Sequence, residues 1–228
     1  MRIEDNPALE RLVLNHLAEQ YGIYETREPN HLSTFVYCLT RAFFTVKMPT
    51  EPTDEEVMLF ALGYGLQDVL TPRDFTTPKY EFEGIVYRPD MVLRVGEAEN
   101  LFEMKTTRKS MKKGDIPETW MAYMQGGCYI RKTNRYDLII LYMMGNYAPP
   151  FPKIVAKTFY FEDAELNANW ENIKHRQYIL NHAIANNTPP EPFQFNYAWE
   201  CQYCKNKLLC TTITNQSGIE KISEESEQ

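Results

Sequence analysis

Asp90, Glu103 and Lys105 are the residues of this chain whose types and spacing best suit chemistry; they lie in the string YRPDMVLRVGEAENLFEMKTT. On a strand, residues i and i+2 point to the same side, so Glu103 and Lys105 share a face. If Met91–Val95 and Asn100–Lys105 pair as a hairpin, Asp90 lies beside them at the same end. Two carboxylates there suit Mg²⁺ or Mn²⁺, hard cations that prefer oxygen, and the backbone carbonyl of Met104 can complete the ligand set. Lys105 would orient or deprotonate an attacking water and stabilise charge developing on a phosphate. Pro-Asp and Glu-x-Lys strings also arise by chance, so the surrounding elements decide what they mean.

Those elements are legible in the periodicity. Residues 8–20 place Leu9, Val13 and Leu17 at helical spacing, and Gly22 ends that helix. Ser33 can cap a second helix through Phe44, carrying Cys38 among Phe35, Val36, Phe43 and Phe44. Thr53 or Asp54 starts a third helix that reaches Leu70 before Pro72 stops it. Tyr80–Tyr87 then alternates as β structure, with Gly84 at a turn or bulge. Met91–Val95 and Asn100–Lys105 read as strands joined by a polar turn at Gly96–Glu99. Thr119–Arg131 reads as a helix, Asp137–Met144 and Lys153–Phe161 as strands, and Glu162–Asn186 as a long amphipathic helix. This order predicts an α/β domain with a mixed sheet.

Further residues join the constellation. Gln125 and Tyr129 stand four apart on one face of the predicted helix, where an amide and a phenol can grip DNA near a scissile phosphate. Arg108, Lys109, Lys112 and Lys113 follow the Glu-x-Lys pair directly, a run suited to neutralising phosphates. Near the C-terminus, WECQYCKNKLLC sets Cys201, Cys204 and Cys210 in a C-x2-C-x5-C pattern. Three thiolates leave a tetrahedral site incomplete, and Cys38 is the natural fourth. Such spacing suits zinc and iron–sulfur ligation alike. Cys128, inside the Gln125–Tyr129 turn, reads as buried packing.

Asp, then Glu-x-Lys on a strand, then Gln-x-x-x-Tyr on the next helix, resembles the RecB-like branch of the PD-(D/E)xK nucleases. With Cys38 in LSTFVYCLTRAFF and three clustered C-terminal cysteines, the resemblance runs from about Ser33 to Cys210. Over that stretch the chain is similar to the CRISPR-associated Cas-four exonuclease family and its phage-encoded relatives. The resemblance implies a restriction-endonuclease-like core, a mixed central sheet flanked by helices, with an iron–sulfur lobe joining the N-terminal helices to the C-terminus. It implies a metal-dependent DNA exonuclease acting on single-stranded DNA or duplex ends, with Asp90, Glu103 and Lys105 catalytic. It further implies a 4Fe–4S cluster on Cys38, Cys201, Cys204 and Cys210, zinc being the alternative occupant. In that branch an upstream helix carries a metal-binding histidine a few residues after a glycine. Here Gly63-Tyr64-Gly65-Leu66-Gln67 places Gln67, a weaker ligand, at that point, and none of His16, His31, His175 and His182 fits it. The implied setting is CRISPR spacer acquisition or phage DNA processing, with an integrase or recombination protein as partner. Gln67 is also the support for a rival reading, a weakly active or inactive DNA-end-binding module of the same fold acting with a partner complex. A zinc-stabilised DNA-binding protein is a third.

The bulk composition fits these readings. The chain has 228 residues, 43% of them hydrophobic, enough for one domain with a substantial core. We expect a single domain over residues 1–215, with a helical and iron–sulfur lobe from about 1–75 and 187–215 and a catalytic core at about 76–186. Residues 216–228 are expected to form a disordered acidic tail. A net charge of −7 argues against broad electrostatic coating of nucleic acid, so local charge must carry any DNA contact. No apolar run has bilayer-spanning length and the start MRIEDNPALE carries no export signal, so a cytoplasmic protein with no membrane partner is expected. Disulfides are then disfavoured, and the close cysteine spacing points to metal binding or redox chemistry. By the chain-entropy estimate for crosslinks, clipping Cys38 to Cys201 would stabilise the fold by about 5 kcal/mol.

Overall fold

The computed structural model describes residues 6–21, 29–72, 76–95, 98–109, 115–145, 152–191, 198–202 and 204–212. Four helices come first: α1 (Pro7–Tyr21), α2 (Leu32–Val36), α3 (Leu39–Lys47) and α4 (Asp54–Leu70). Strands β1 (Tyr80–Phe82), β2 (Ile85–Tyr87), β3 (Met91–Val95) and β4 (Ala98–Thr107) follow. Then come α5 (Glu118–Arg131), β5 (Arg135–Tyr142), β6 (Lys153–Tyr160), α6 (Asp163–Asn186) and α7 (Ala198–Gln202).

The main sheet has the order β3-β4-β5-β6. β4 and β5 pair in parallel, joined through α5, while β3 and β6 lie antiparallel to their neighbours. The fold is therefore a mixed α/β sheet with helices packed on it, as the element order predicts. β1 and β2 form a separate hairpin. Its turn is Glu83-Gly84, with φ values of 50° and 74°, the two positive values that a two-residue turn of the primed kind requires. Gly84 thus marks a turn, and α6 steadies the left-handed Glu83: Lys174 donates to its carbonyl at 3.2 Å and Trp170 Nε1 to its carboxylate at 3.4 Å.

The core lies where α2, α5 and α6 cover the sheet face that bears Leu101, Tyr136, Leu138 and Ile140. Its tightest point is Gly126-Gly127 on α5. A Cβ on Gly126 would stand 2.9 Å from Leu32 and 3.0 Å from Ile173; one on Gly127 would stand 2.6 Å from the Tyr87 ring. By contrast α1 buries none of its residues, and α4 buries only Val57. The stripe Leu9, Val13 and Leu17 rests against α4, with Leu9 and Val13 left largely exposed. No helix among the described residues is long and apolar enough to cross a membrane.

One expected element is different. The helix predicted from Ser33 through Phe44 is broken into α2 and α3 by extended backbone at Tyr37 and Cys38. Arg176, on α6, donates to the carbonyls of Phe35 and Tyr37. A continuous helix would commit those two carbonyls to the amides four residues on. Cys38 consequently caps α3, with the Ala42 amide donating to its carbonyl at 3.1 Å, and His31 rather than Ser33 caps α2. Gly22, expected as a helix stop, and residues 216–228 lie outside the described residues.

Two helix glycines give opposite expectations. Gly127→Ala should destabilise the protein by about 1–3 kcal/mol, because its methyl group overpacks against the fully buried Tyr87. Gly63→Ala, with no atom within 4 Å of the new Cβ, should gain about 0.5–1 kcal/mol from helix propensity. Urea midpoints of the two variants check this, and shifts of the same sign would contradict the packing described.

Candidate active site

β4 outruns its neighbour. Its ladder with β3 ends at Met91↔Phe102, so Glu103 to Thr107 have no β3 partner and are paired on the other side by β5. Asp90, one residue before β3, fills the vacated edge: its Oδ2 accepts the Met104 amide at 2.8 Å. In a strand, a residue's N–H and C=O point to the same edge. The Met104 carbonyl therefore lies on the Asp90 side.

Glu103 and Lys105 project to the helix-covered face and form an ion pair. Glu103 is buried, and its second oxygen accepts the Tyr136 hydroxyl at 3.3 Å. The Tyr136 hydroxyl in turn lies 2.7 Å from that of Tyr87, so with Tyr136 donating to the carboxylate, Tyr87 donates to Tyr136. Burial, then the neighbouring charge of Asp90, raise the Glu103 pKa to about 7, against the pull of Lys105 and Tyr136. Burial works against the charge on Lys105, but Glu103 and Asp90 outweigh it and hold the ammonium above the usual lysine range. Its Nζ also lies 5.7 Å from the centroid of the Tyr123 ring, whose hydroxyl donates to the Arg88 carbonyl at 2.7 Å. Two carboxylates side by side, with one drawn toward neutrality, form an oxygen-rich pair that a hard cation would stabilise.

The other expected residues divide. Gln67 is at the site: its Nε2 donates to the Asp90 carbonyl at 3.4 Å, which braces the turn before β3. Arg108 and Lys109 are exposed just beyond Lys105, with the Lys109 amide donating to Thr107 Oγ1 at 3.1 Å. Lys112 and Lys113 lie outside the described residues. Tyr129 does not join the group; its ring stacks on Trp170 at 4.8 Å and meets Phe82 edge-on at 6.2 Å. Gln125 is half-buried on the same helix. The residue of α5 that meets Lys105 is Tyr123, four positions before Gly127 and facing the same way, toward Tyr87. Sequence reasoning missed Tyr87, Tyr123 and Tyr136. Of the four histidines, His31 stacks 6.5 Å from Tyr123.

Cys210 lies within electrostatic reach of the other three expected cysteines. Burial, followed by the proximity of Cys38, Cys201 and Cys204, pushes up the Cys210 thiol. The Cys204 amide donates to the Cys201 carbonyl at 3.4 Å, and the Cys210 amide to Asn206 at 3.0 Å. Cys128 is buried, donates to the Arg135 carbonyl at 3.5 Å, and has its pKa pushed by burial to about 12, which fits packing. Among the described residues, no group of three or more His, Cys, Asp or Glu converges as a metal-ion site.

No family profile matches the chain, and no curated protein matches it in sequence. Among solved structures, that of SSO0001 is similar with a TM-score of 0.53 and 16% identity, over 89% of this chain and 96% of that one. An alkaline exonuclease, LHK-Exo, from Laribacter hongkongensis gives 0.44 and 12% identity, covering 68% of this chain and 89% of its own. A phage-related exonuclease from Haemophilus somnus 129PT gives 0.43 and 10%, covering 66% and 82%. The similarity to SSO0001 is one of fold.

The ionisation of Glu103 sets a pH dependence. The group ionises near 4.5 when unfolded and at about 7 when folded. Its contribution to stability is therefore present below about pH 4.5 and lost as pH rises through 7. Glu103→Gln removes that dependence, so in chelator-containing buffer the variant should gain on the wild type between those limits, by no more than about 3 kcal/mol. Parallel stability curves would show that Glu103 is not held as described.

Proposed function

We propose that this protein is a divalent-metal-dependent DNA nuclease, acting exonucleolytically on single-stranded DNA or duplex ends. The observation that carries the reading is the gathering of Asp90, Glu103 and Lys105 at one point, where β4 outruns β3 and the Asp90 carboxylate closes the exposed edge. Asp90, Glu103 and the Met104 carbonyl would hold Mg²⁺ or Mn²⁺, which when bound supplies Lewis-acid stabilisation of the phosphate and a more acidic water. Lys105, held as an ammonium, is equipped to donate to the attacking water or the phosphate rather than to accept a proton. Tyr136 fixes the orientation of Glu103, and Arg108 and Lys109 are exposed where a phosphate backbone would approach. Gln125 and Tyr129 remain proposed DNA contacts, with Tyr129 confined to the part of its ring that Trp170 leaves open.

Cys38, Cys201, Cys204 and Cys210 form the donor set for a 4Fe–4S cluster, or for zinc. Four thiols suit either, and loading would draw the sulfurs closer than they stand. Its role is structural, as a clip across the fold. The proposed setting is phage DNA processing or CRISPR spacer acquisition, with a recombination or integrase partner. A second reading, a DNA-end-binding module of the same fold, draws on Gln67, whose amide nitrogen is engaged with the Asp90 carbonyl rather than its oxygen offered to a cation.

End-labelled single-stranded and duplex DNA incubated with the protein and Mn²⁺ tests the proposal. Wild type should shorten the label, and Asp90→Ala and Lys105→Ala should each reduce the rate by about 100-fold or more. Wild type that binds DNA ends yet cuts no faster than Asp90→Ala would leave the binding-module reading in its place.

A further inference from the structure

Away from the carboxylates, Arg176 and Glu200 are deeply buried charged side chains that the proposed reaction does not use. Arg176 is 0% exposed and Glu200 is 3% exposed. Isolating either from water is costly unless its surroundings compensate. Arg176 reaches from α6 to the carbonyls of Phe35 and Tyr37, the second being the residue immediately before Cys38. Glu200 is the residue immediately before Cys201. Its Oε1 accepts the Cys38 amide at 3.5 Å and lies 3.3 Å from Arg41, while its Oε2 is buried without a hydrogen bond. The two segments that bring cysteines from opposite ends of the chain therefore meet on one buried acid, Glu200, and a buried base, Arg176, holds the backbone before Cys38. Burial lowers the Arg176 pKa to about 10, and Cys38 and Glu200 act in the opposite direction.

We propose that Arg176 and Glu200 are positioning residues of the four-cysteine site: Arg176 breaks the helix so that Cys38 turns inward and supplies positive charge beside the thiolates, and Glu200 locks the Cys201 segment onto Cys38. The inference rests on the reading that these cysteines hold a metal group. Four thiolates around iron or zinc leave net negative charge, which a buried guanidinium offsets. A purely structural arginine could be exchanged for a neutral hydrogen-bonding residue without any consequence for the metal's electronic properties; a counter-charge could not.

The test uses the full chain, reconstituted with iron and sulfide and, separately, with zinc alone. Wild type should take up one of them. Arg176→Gln should release it to a chelator at least about 10-fold faster, the scale typical of lost supporting contacts, with Arg176→Lys nearer to wild type. In the iron–sulfur form the midpoint potential should fall in Arg176→Gln, which removes a positive charge, and rise in Glu200→Gln, which removes a negative one. Folded Arg176→Gln and Glu200→Gln variants with wild-type release rates and potentials would overturn the proposal. If Arg176→Gln does not fold, Glu200→Gln decides it by the same two measurements, a raised potential supporting the proposal and a wild-type potential with a wild-type release rate overturning it. Wild type that takes up neither iron nor zinc overturns the four-cysteine reading itself, and this proposal with it.

Discussion

The hydrogen bond from the Met104 amide to the Asp90 carboxylate is where backbone geometry and site chemistry meet. β4 carries ten residues and β3 five, so half of one β4 edge has no antiparallel partner. A strand edge left unpaired inside a fold must find acceptors elsewhere. Asp90 supplies one, and in doing so its carboxylate is fixed beside Glu103, two positions along the chain from Lys105. Pro89, buried just before it, restricts the approach, and Gln67 holds the Asp90 carbonyl from the other side. The acidic pair is thus a consequence of how the hairpin ends, and moving the register by one residue would turn Glu103 and Lys105 to the opposite face.

Around that edge the environment is aromatic, with Glu103 buried and Lys105 half-buried. Tyr87, Tyr123 and Tyr136 surround Glu103 and Lys105 with rings whose hydroxyls are committed to specific acceptors. Low local polarity strengthens the Lys105 ion pair and makes the second carboxylate expensive to ionise. The same side chains wedge against Gly127 and Leu101, so site and core share one packing problem. A cation at the carboxylates would relieve the repulsion that the fold enforces there.

How much of this was legible in the sequence follows the range of the interactions. Glu103 and Lys105 share a face by strand periodicity, and the hairpin that delivers Asp90 joins neighbouring segments, so both could be read locally. Tyr136 reaches Glu103 only through the parallel pairing of β4 with β5, set by the α5 crossover, and nothing local encodes that register. On α5 the spacing of Gln125 and Tyr129 drew the reading to one face, while the residue that meets Lys105 is Tyr123. A usable signal was present in Gly126-Gly127, which marks the closely packed side and aligns Tyr123 with Tyr87. The break at Cys38 was invisible locally, since the residue that causes it, Arg176, lies 139 positions from Tyr37.

α4 makes contact with both the C-terminal cysteine segment and the turn that carries Asp90. It buries a single side chain, so little hydrophobic energy fixes its place. Its first turn carries Glu56, which closes a capping box with Thr53 and meets Lys205 at 3.7 Å, between Cys204 and Cys210. Its last turns carry Gln67, bonded to Asp90. Arg11 of α1 adds a bidentate pair with Asp54. Exposed ion pairs of this kind contribute about 1 kcal/mol or less each. The helix is therefore held by several weak contacts, one of them on the cysteine lobe and one on the carboxylate site. α4 therefore touches both the segment that carries Cys204 and Cys210 and the turn that carries Asp90, through contacts that are individually weak.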